Sequence, residues 1–136
     1  MQLNAHLSFN GQCEAAFKFY AQCLGGKIVF MATYAGTPMA DQVPPEWRQK
    51  IIHASLTVGE QVVTGCDAPP GHYDKPQGFS MMIGLKEPAE AEPIFKAMAE
   101  KGTVSMPLQK TFWSTGFGML VDQFGIPWMV NCEHPA

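Results

Sequence analysis

Residues 111–131 read TFWSTGFGMLVDQFGIPWMVN. Within this stretch, residues 116–121 and 126–131 are apolar segments of strand length, and the DQFG between them favours a tight turn. The pattern predicts a β-hairpin near the end of the chain. Phe112 and Trp113, which precede this hairpin, lie in a turn-rich segment and are not explained by strand alternation alone.

The same hairpin pattern occurs once before in the chain. Residues 50–58 and 61–67 have the composition of strands and flank the short Gly-Glu turn. Alignment of the two hairpins places Ser55 of the first on Met119 of the second, and Thr57 on Val121. Two copies of one hairpin indicate an internal repeat, which takes precedence over any single motif.

The residues before each hairpin repeat as well. The predicted elements come in the same order in both halves: strands at 3–9 and 79–85, helices at 12–24 and 87–102, and strands at 27–34 and 103–109. Alignment of these segments places Leu7 on Ile83 and Gly26 on Gly102. Pro93 has no backbone N–H to donate inside the second helix, which predicts a late start or a kink there.

These elements define an α+β fold of two tandem βαβββ modules. We predict one domain over residues 1–136, with module 1 at 1–67, a linker at 68–78 and module 2 at 79–136. Each module alone is small and would leave one face of its sheet bare. Two such curved mixed sheets side by side are expected to enclose a cavity.

Composition excludes several classes of protein. The chain is 46% hydrophobic and 15% charged, with a formal net charge of −3, and Arg48 is its only arginine. A nucleic-acid partner is therefore not expected, and no apolar run has the length of a membrane span. The N-terminus lacks the features of a signal peptide, and the four cysteines form no CxxC pair. We expect a cytoplasmic protein with free thiols.

The duplicated βαβββ pattern resembles the vicinal oxygen chelate superfamily, which includes glyoxalase I, bleomycin-resistance proteins and extradiol dioxygenases. Three segments are similar to its PhnB-like branch: HLSFNGQCEAAFKFY, IIHASLTVG and TFWSTGFGMLVDQFGIPWMVN. The similarity covers nearly the whole chain, and the last segment is the most specific. The resemblance implies a glyoxalase/bleomycin-resistance/dioxygenase-like fold and a homodimer, which the low charge and abundant apolar surface allow.

The resemblance also implies where a divalent metal would be held. Superfamily enzymes take its ligands from the first and last strands of each module, so that the metal acts on substrate oxygens as a Lewis acid. The first strand of module 1 offers His6, whereas Met129 stands about where glyoxalases carry a glutamate. Three of the four positions lack a good ligand for a hard cation. No cofactor is expected, and any divalent metal would depend on His6 and His53.

His53 matches the histidine-bearing strand of the branch. Its imidazole could act as a general acid or base, because the pKa of histidine lies near neutrality. Alternatively, His53 fixes the packing of the sheet. Cys66 has no basic neighbour in sequence and is expected to be inert. His72 and His134 are expected to be solvated.

The aromatic residues near the end of the chain are candidate ligand contacts. Phe112 and Trp113 could stack on a flat or apolar ligand, plug the end of the sheet, or contact a second subunit. The nine methionines could belong to the core or line an adaptable apolar pocket. The full set of candidate ligand-binding residues is His6, Cys66, Phe112, Trp113, Phe117 and Trp128.

Two classes of function remain open at the level of sequence. The first is a protein that binds a small apolar or aromatic molecule without the superfamily metal. The second is an enzyme, either a metal-dependent lyase, isomerase or dioxygenase using His6 and His53, or a metal-free acid–base catalyst using His53. A structural interaction protein is a third and weaker alternative. The sequence shows no glycine-rich loop of the kind that binds S-adenosylmethionine, so a methyltransferase is not expected.

Overall fold

The structure of the protein, a computed structural model, describes residues 1–133. It consists of two compact units, of which the first covers Met1–Asp74 and the second begins at Lys75. The boundary between them falls inside the segment 68–78 predicted as a linker. Neither helix of residues 1–133 is long and apolar enough to cross a membrane.

Module 1 has one helix and a four-stranded mixed sheet. Its elements are β1 (Ala5–Phe9), α1 (Cys13–Leu24), β2 (Lys27–Thr33), β3 (Ile51–Val58) and β4 (Gln61–Asp67). The strand order is β1-β4-β3-β2, with β1 parallel to β4 and the other pairs antiparallel. The turn-rich connection between β2 and β3 contains two short 3₁₀ segments, Ala40–Gln42 and Pro45–Trp47.

Module 2 repeats this architecture. Its elements are β5 (Met81–Leu85), α2 (Pro88–Met98), β6 (Thr103–Gln109), β7 (Ser114–Val121) and β8 (Pro127–Glu133). The strand order is β5-β8-β7-β6, with β5 parallel to β8. The α+β class and the two tandem βαβββ modules are confirmed.

The repeat extends to irregularities of the strands. The register of β2 on β3 shifts between Ile28 and Phe30, and that of β6 on β7 shifts between Val104 and Met106. The sequence alignment of the two halves places Ile28 on Val104 and Phe30 on Met106. Each module therefore carries its bulge at the same place on its edge strand.

The core of each module lies between its helix and one face of its sheet. In module 1, α1 buries Phe17 and Tyr20 against Phe9 of β1, and Leu56 of β3 is buried as well. A Cβ atom at Gly65 would lie 2.8 Å from the Phe17 ring, so only glycine allows the helix to approach β4 this closely. Burial of these large side chains supplies much of the hydrophobic stabilisation of the module.

The core of module 2 likewise has a glycine on a strand facing an aromatic ring of the helix. Phe95 of α2 is buried against β7, where a Cβ atom at Gly118 would lie 2.7 Å from its ring. The late start predicted for this helix is not observed, since α2 runs from Pro88 to Met98 with Pro93 inside it. Pro93 and Ala89, the residue four positions earlier, are both exposed, so water can satisfy the carbonyl group that the proline leaves without a donor.

A buried carboxylate connects three elements of module 1. Asp67, at the end of β4, is 1% exposed and accepts hydrogen bonds from the backbone N–H groups of Gly11, Cys13 and Ile51 at 2.9–3.0 Å. These bonds tie the start of α1 and the start of β3 to the end of β4. They fix the position of the strands on which the histidines of module 1 lie.

Candidate functional site

Each sheet has one face covered by the helix of its own module and one face that this helix does not cover. We call the second the helix-free face. In β4, Gly65 faces α1, so its neighbours Thr64 and Cys66 lie on the helix-free face. In β7, Gly118 faces α2, so Phe117 and Met119 lie on the helix-free face of module 2.

A row of four residues, three of them polar, crosses the helix-free face of module 1. The backbone register pairs His6 with Thr64, Thr64 with Ser55, and Ser55 with Phe30. The Nδ1 atom of His6 shares a hydrogen bond of 2.7 Å with Oγ1 of Thr64. This bond fixes the position of the His6 ring over the neighbouring strand.

The two histidines predicted as site residues lie close together. The rings of His6 and His53 are 6.0 Å apart between centroids and inclined by 16°, and the Phe30 ring lies 5.9 Å from that of His53. Partial burial of the His6 ring, together with the nearby imidazole of His53, lowers the pKa of His6. The charged form of the His6 imidazole is therefore disfavoured in the folded protein.

Cys66 lies beside this pair as a poor nucleophile. Its register partner on β1 is Ser8, with Oγ and Sγ 4.0 Å apart. Burial raises the pKa of the Cys66 thiol, and the neighbouring Asp67 acts in the same direction. The thiol is therefore held in its protonated form at neutral pH.

A row of four methionines crosses the helix-free face of module 2. The register pairs Met82 with Met129, Met129 with Met119, and Met119 with Met106, one from each strand. Met82 is 60% exposed and the other three are half-buried. These four residues, named the methionine row, occupy the same positions in module 2 as His6, Thr64, Ser55 and Phe30 in module 1.

Next to the methionine row, a second row of residues in register crosses the sheet and consists of Gly84, Asn131 and Phe117. Asn131 pairs in register with Gly84 on one side and Phe117 on the other. A Cβ atom at Gly84 would meet nothing within 4 Å. The buried Oδ1 atom of Asn131 has no hydrogen-bond partner among residues 1–133. This oxygen is closed to solvent, so a ligand group that donates a hydrogen bond would satisfy it once the Asn131 side chain turns towards the helix-free face.

The aromatic residues before β7 form a cluster on this side of module 2. The Phe112 ring contacts that of Trp113 at 4.7 Å, and the Trp113 ring contacts that of Phe117 at 5.4 Å, both edge to face. Phe112 is 92% and Trp113 46% exposed, whereas Phe117 is buried. The cluster extends the apolar surface of the methionine row into the loop between β6 and β7.

Trp128 has a different environment from the other aromatic candidates. It is 4% exposed, and its indole Nε1 donates a hydrogen bond of 2.8 Å to Oδ2 of Asp122. The Oδ1 atom of Asp122 accepts from the backbone N–H groups of Phe124 and Ile126. This network closes the turn between β7 and β8, so the position of Trp128 is explained by the hairpin itself.

The donor set does not fit the hard divalent metal of the superfamily. The four equivalent positions on the first and last strands hold His6, Thr64, Met82 and Met129. One imidazole, one neutral hydroxyl and two thioethers provide no anionic oxygen ligand. Residues 1–133 contain no group of three His, Cys, Asp or Glu side chains placed to hold a metal ion.

The remaining candidates are surface residues in the described part of the chain. His72 is exposed, and His134 lies outside the described residues. Sequence reasoning missed the methionine row and Asn131 as a group. The alignment of the two halves contained that signal, because it places Met82 on His6 and Met119 on Ser55.

Comparison with known proteins agrees with this architecture. The family model described as the Glyoxalase/Bleomycin resistance protein/Dioxygenase superfamily matches residues 2–130. Protein YjdN of Escherichia coli (strain K12) is 30% identical over 139 residues, which covers 96% of this chain and 95% of that protein.

Solved structures show the same fold. The crystal structure of protein PA1353 from Pseudomonas aeruginosa has 42% identity and a TM-score of 0.90, with 99% of both chains covered. A PhnB protein from Bacillus cereus has 24% identity and a TM-score of 0.79, with 97% of this chain and 99% of that chain covered. The second likeness is one of fold alone.

Proposed function

The chain belongs to the glyoxalase/bleomycin resistance protein/dioxygenase superfamily, and on this premise we propose that it binds a small apolar or aromatic molecule. The binding surface is the helix-free face of module 2, and the superfamily metal takes no part. The observation that carries the proposal is the continuity of the methionine row with the aromatic cluster of Phe112, Trp113 and Phe117.

The chemistry of this surface supports an apolar ligand. Methionine side chains are flexible and polarizable, so a row of them adapts to the shape of a bound molecule. Trp113 offers a partly exposed ring whose face or edge can stack on a flat ligand. Ligand sites combine such apolar walls with few polar groups. On this face the polar group is the unpaired Oδ1 of Asn131.

The unpaired oxygen makes the proposal more specific. A ligand with an apolar body and one O–H or N–H donor would bind better than the same body without the donor, because it satisfies Asn131. The open space above Gly84, next to Asn131 in the register, leaves room for that group. We therefore expect an aromatic alcohol or amine to be preferred over the parent hydrocarbon.

Equilibrium dialysis with 2-naphthol, and with naphthalene as the matched compound lacking the donor, tests this function. We expect 2-naphthol to bind more tightly than naphthalene in the unmodified protein. Trp113→Ala should weaken the binding of both compounds roughly 3- to 10-fold, since aromatic contacts contribute about 0.5–1.5 kcal/mol. Asn131→Leu should abolish the preference for 2-naphthol. Trp47→Phe, a tryptophan substitution in module 1, is the control.

Two results would contradict the proposal. One is that neither compound binds with a dissociation constant below about 1 mM, the range of the weakest useful affinities. The other is that Trp113→Ala and Trp47→Phe change the affinity equally. In the second case the aromatic cluster of module 2 would not form the site.

The His6–His53 pair favours a second candidate function, a metal-free acid–base enzyme. Two imidazoles 6.0 Å apart, one with a lowered pKa, can exchange a proton with a substrate near neutral pH. For such an enzyme, His53→Gln would abolish consumption of a substrate from a metabolite extract. Unchanged consumption by His53→Gln would remove this candidate.

A further inference from the structure

We propose that the methionine row also binds a soft monovalent cation, which in a cell would be Cu(I), through two or three adjacent thioether sulfurs. This inference goes beyond the proposed binding of an organic molecule and rests on a different property of the same residues. It follows from the disagreement between the donor set and the hard metal of the superfamily. The site is Met82, Met129, Met119 and Met106.

The register brings the four side chains together. In an antiparallel pair, directly opposed residues have Cβ atoms about 4.5–5.5 Å apart on the same face of the sheet, which applies to Met129–Met119 and Met119–Met106. Met82 adjoins Met129 across the parallel pair of β5 and β8. Each of the four methionines is directly opposed to the next, so every sulfur has at least one other sulfur within reach. The flexible thioether chain, with three rotatable bonds, allows adjacent sulfurs to converge on one ion.

The chemistry of the row selects the class of ion. Thioethers are soft and uncharged, so they favour Cu(I) over Mg²⁺, Ca²⁺ or Mn²⁺, which require oxygen ligands. The equivalent row of module 1 contains no sulfur, since it consists of His6, Thr64, Ser55 and Phe30. The same backbone positions therefore carry sulfur ligands in one module only. Met82, which is 60% exposed, gives an ion access to the row.

The cysteines are the competing soft ligands, and the structure separates them from the row. Cys13 and Cys132 are fully buried, and burial raises the pKa of both thiols. Cys132 lies on the helix-covered side of β8, because it alternates with Asn131. Cys23 and Cys66 are half-buried and remain partly accessible. Replacing these two by serine gives a background in which accessible sulfur comes chiefly from methionine.

The test uses Ag(I), a redox-stable probe for Cu(I) sites, added to protein labelled with ¹³C at the methionine methyl groups. In the Cys23→Ser/Cys66→Ser background, we expect the methyl signals of the methionine row to shift on addition of Ag(I). Those of Met31 and Met39 should stay in place. Binding should persist when the pH is lowered to about 5, since thioethers do not titrate.

Substitution by leucine separates coordination from apolar contact. Met119→Leu and Met129→Leu keep side-chain volume and the apolar surface but remove the sulfur. Each should weaken Ag(I) binding roughly tenfold or more, which corresponds to about 1.4 kcal/mol. Met39→Leu is the matched control. Urea denaturation midpoints close to that of the unmodified protein show that these variants are folded.

Three outcomes would overturn the proposal. The first is no shift in the methionine row with Ag(I). The second is Ag(I) binding that Met119→Leu and Met129→Leu weaken no more than Met39→Leu does. The third is Ag(I) binding that disappears at low pH. Failure of 2-naphthol binding, by contrast, would affect only the proposed function.

Discussion

At the scale of single residues, His6 and Met82 show how the two modules have diverged. They occupy the same position on the first strand of their modules, and each is paired in register with the last strand. One carries an imidazole bonded to Thr64, and the other carries a thioether opposite Met129. The repeated backbone thus presents a titratable group in module 1 and an apolar, sulfur-containing surface in module 2.

The lowered pKa of His6 predicts a pH dependence of stability. Because the folded protein disfavours the charged imidazole, the unfolded chain binds more protons between the lowered pKa and the ordinary value of 6.5. Stability should therefore fall as the pH drops through that window and rise with pH across it. We expect urea denaturation to show a smaller loss for His6→Gln than for the unmodified protein between about pH 7 and 5.

A second variant checks the cause of this shift. His53→Ala removes the neighbouring imidazole but leaves the burial of His6, so the pKa of His6 should move partway towards its ordinary value. NMR titration of the His6 ring measures it. An unchanged His6 pKa in His53→Ala would mean that the two rings do not interact in solution.

At the scale of elements, Asp67 holds the strands of module 1 in place. Its buried carboxylate accepts three backbone hydrogen bonds, from residues that begin α1 and β3. Removing it would leave three N–H groups unpaired in the interior, which costs far more than the loss of a surface contact. The position of the histidine pair on β1 and β3 therefore depends on a residue that touches neither ring.

We expect Asp67→Ala to lower the free energy of unfolding by about 3 kcal/mol, measured by urea denaturation. The control is Asp41→Ala, because Asp41 is almost fully exposed and lies 3.8 Å from Arg48 in a surface ion pair. That substitution should change stability by less than about 0.5 kcal/mol. Equal effects of the two substitutions would contradict the role assigned to the Asp67 network.

Most elements could be predicted from the sequence, because their hydrophobic periods are regular. The helix predicted over 87–102 is present as Pro88–Met98, and only its predicted late start was wrong, because Pro93 lies on the exposed side of the helix. The network around Asp67 could not be predicted. It joins residues as far apart as Gly11 and Asp67, and a single sequence gives no sign of such a contact.

At the scale of the whole molecule, the internal repeat explains why the fold could be predicted and the site only in part. The repeat and the TFWSTGFGMLVDQFGIPWMVN ending led to the superfamily, which the family match confirms. The methionine row required the strand register, including the bulge between Val104 and Met106 that brings Met106 opposite Met119. Such a bulge is not visible in apolar alternation, because it shifts the side chains by one position.

Other properties of the whole molecule stay predictions. The homodimer implied by the superfamily resemblance and the cytoplasmic location expected from the cysteine usage are two of them. The roles of His53, Cys66 and the aromatic residues in binding or catalysis also await experiment. The structure shows that the two helix-free faces carry different side chains. Module 1 has a histidine pair, and module 2 has methionines with aromatic residues.

The central claim is that a small aromatic molecule binds on the helix-free face of module 2. The most direct measurement is an NMR titration with 2-naphthol of protein labelled at its methionine methyl groups and tryptophan indoles. We predict that the signals of Met82, Met119, Met129 and Trp113 shift together with one dissociation constant, while those of Met39 and Trp47 do not move. Saturable shifts confined to Met31, Met39 or Trp47 of module 1 would contradict the account.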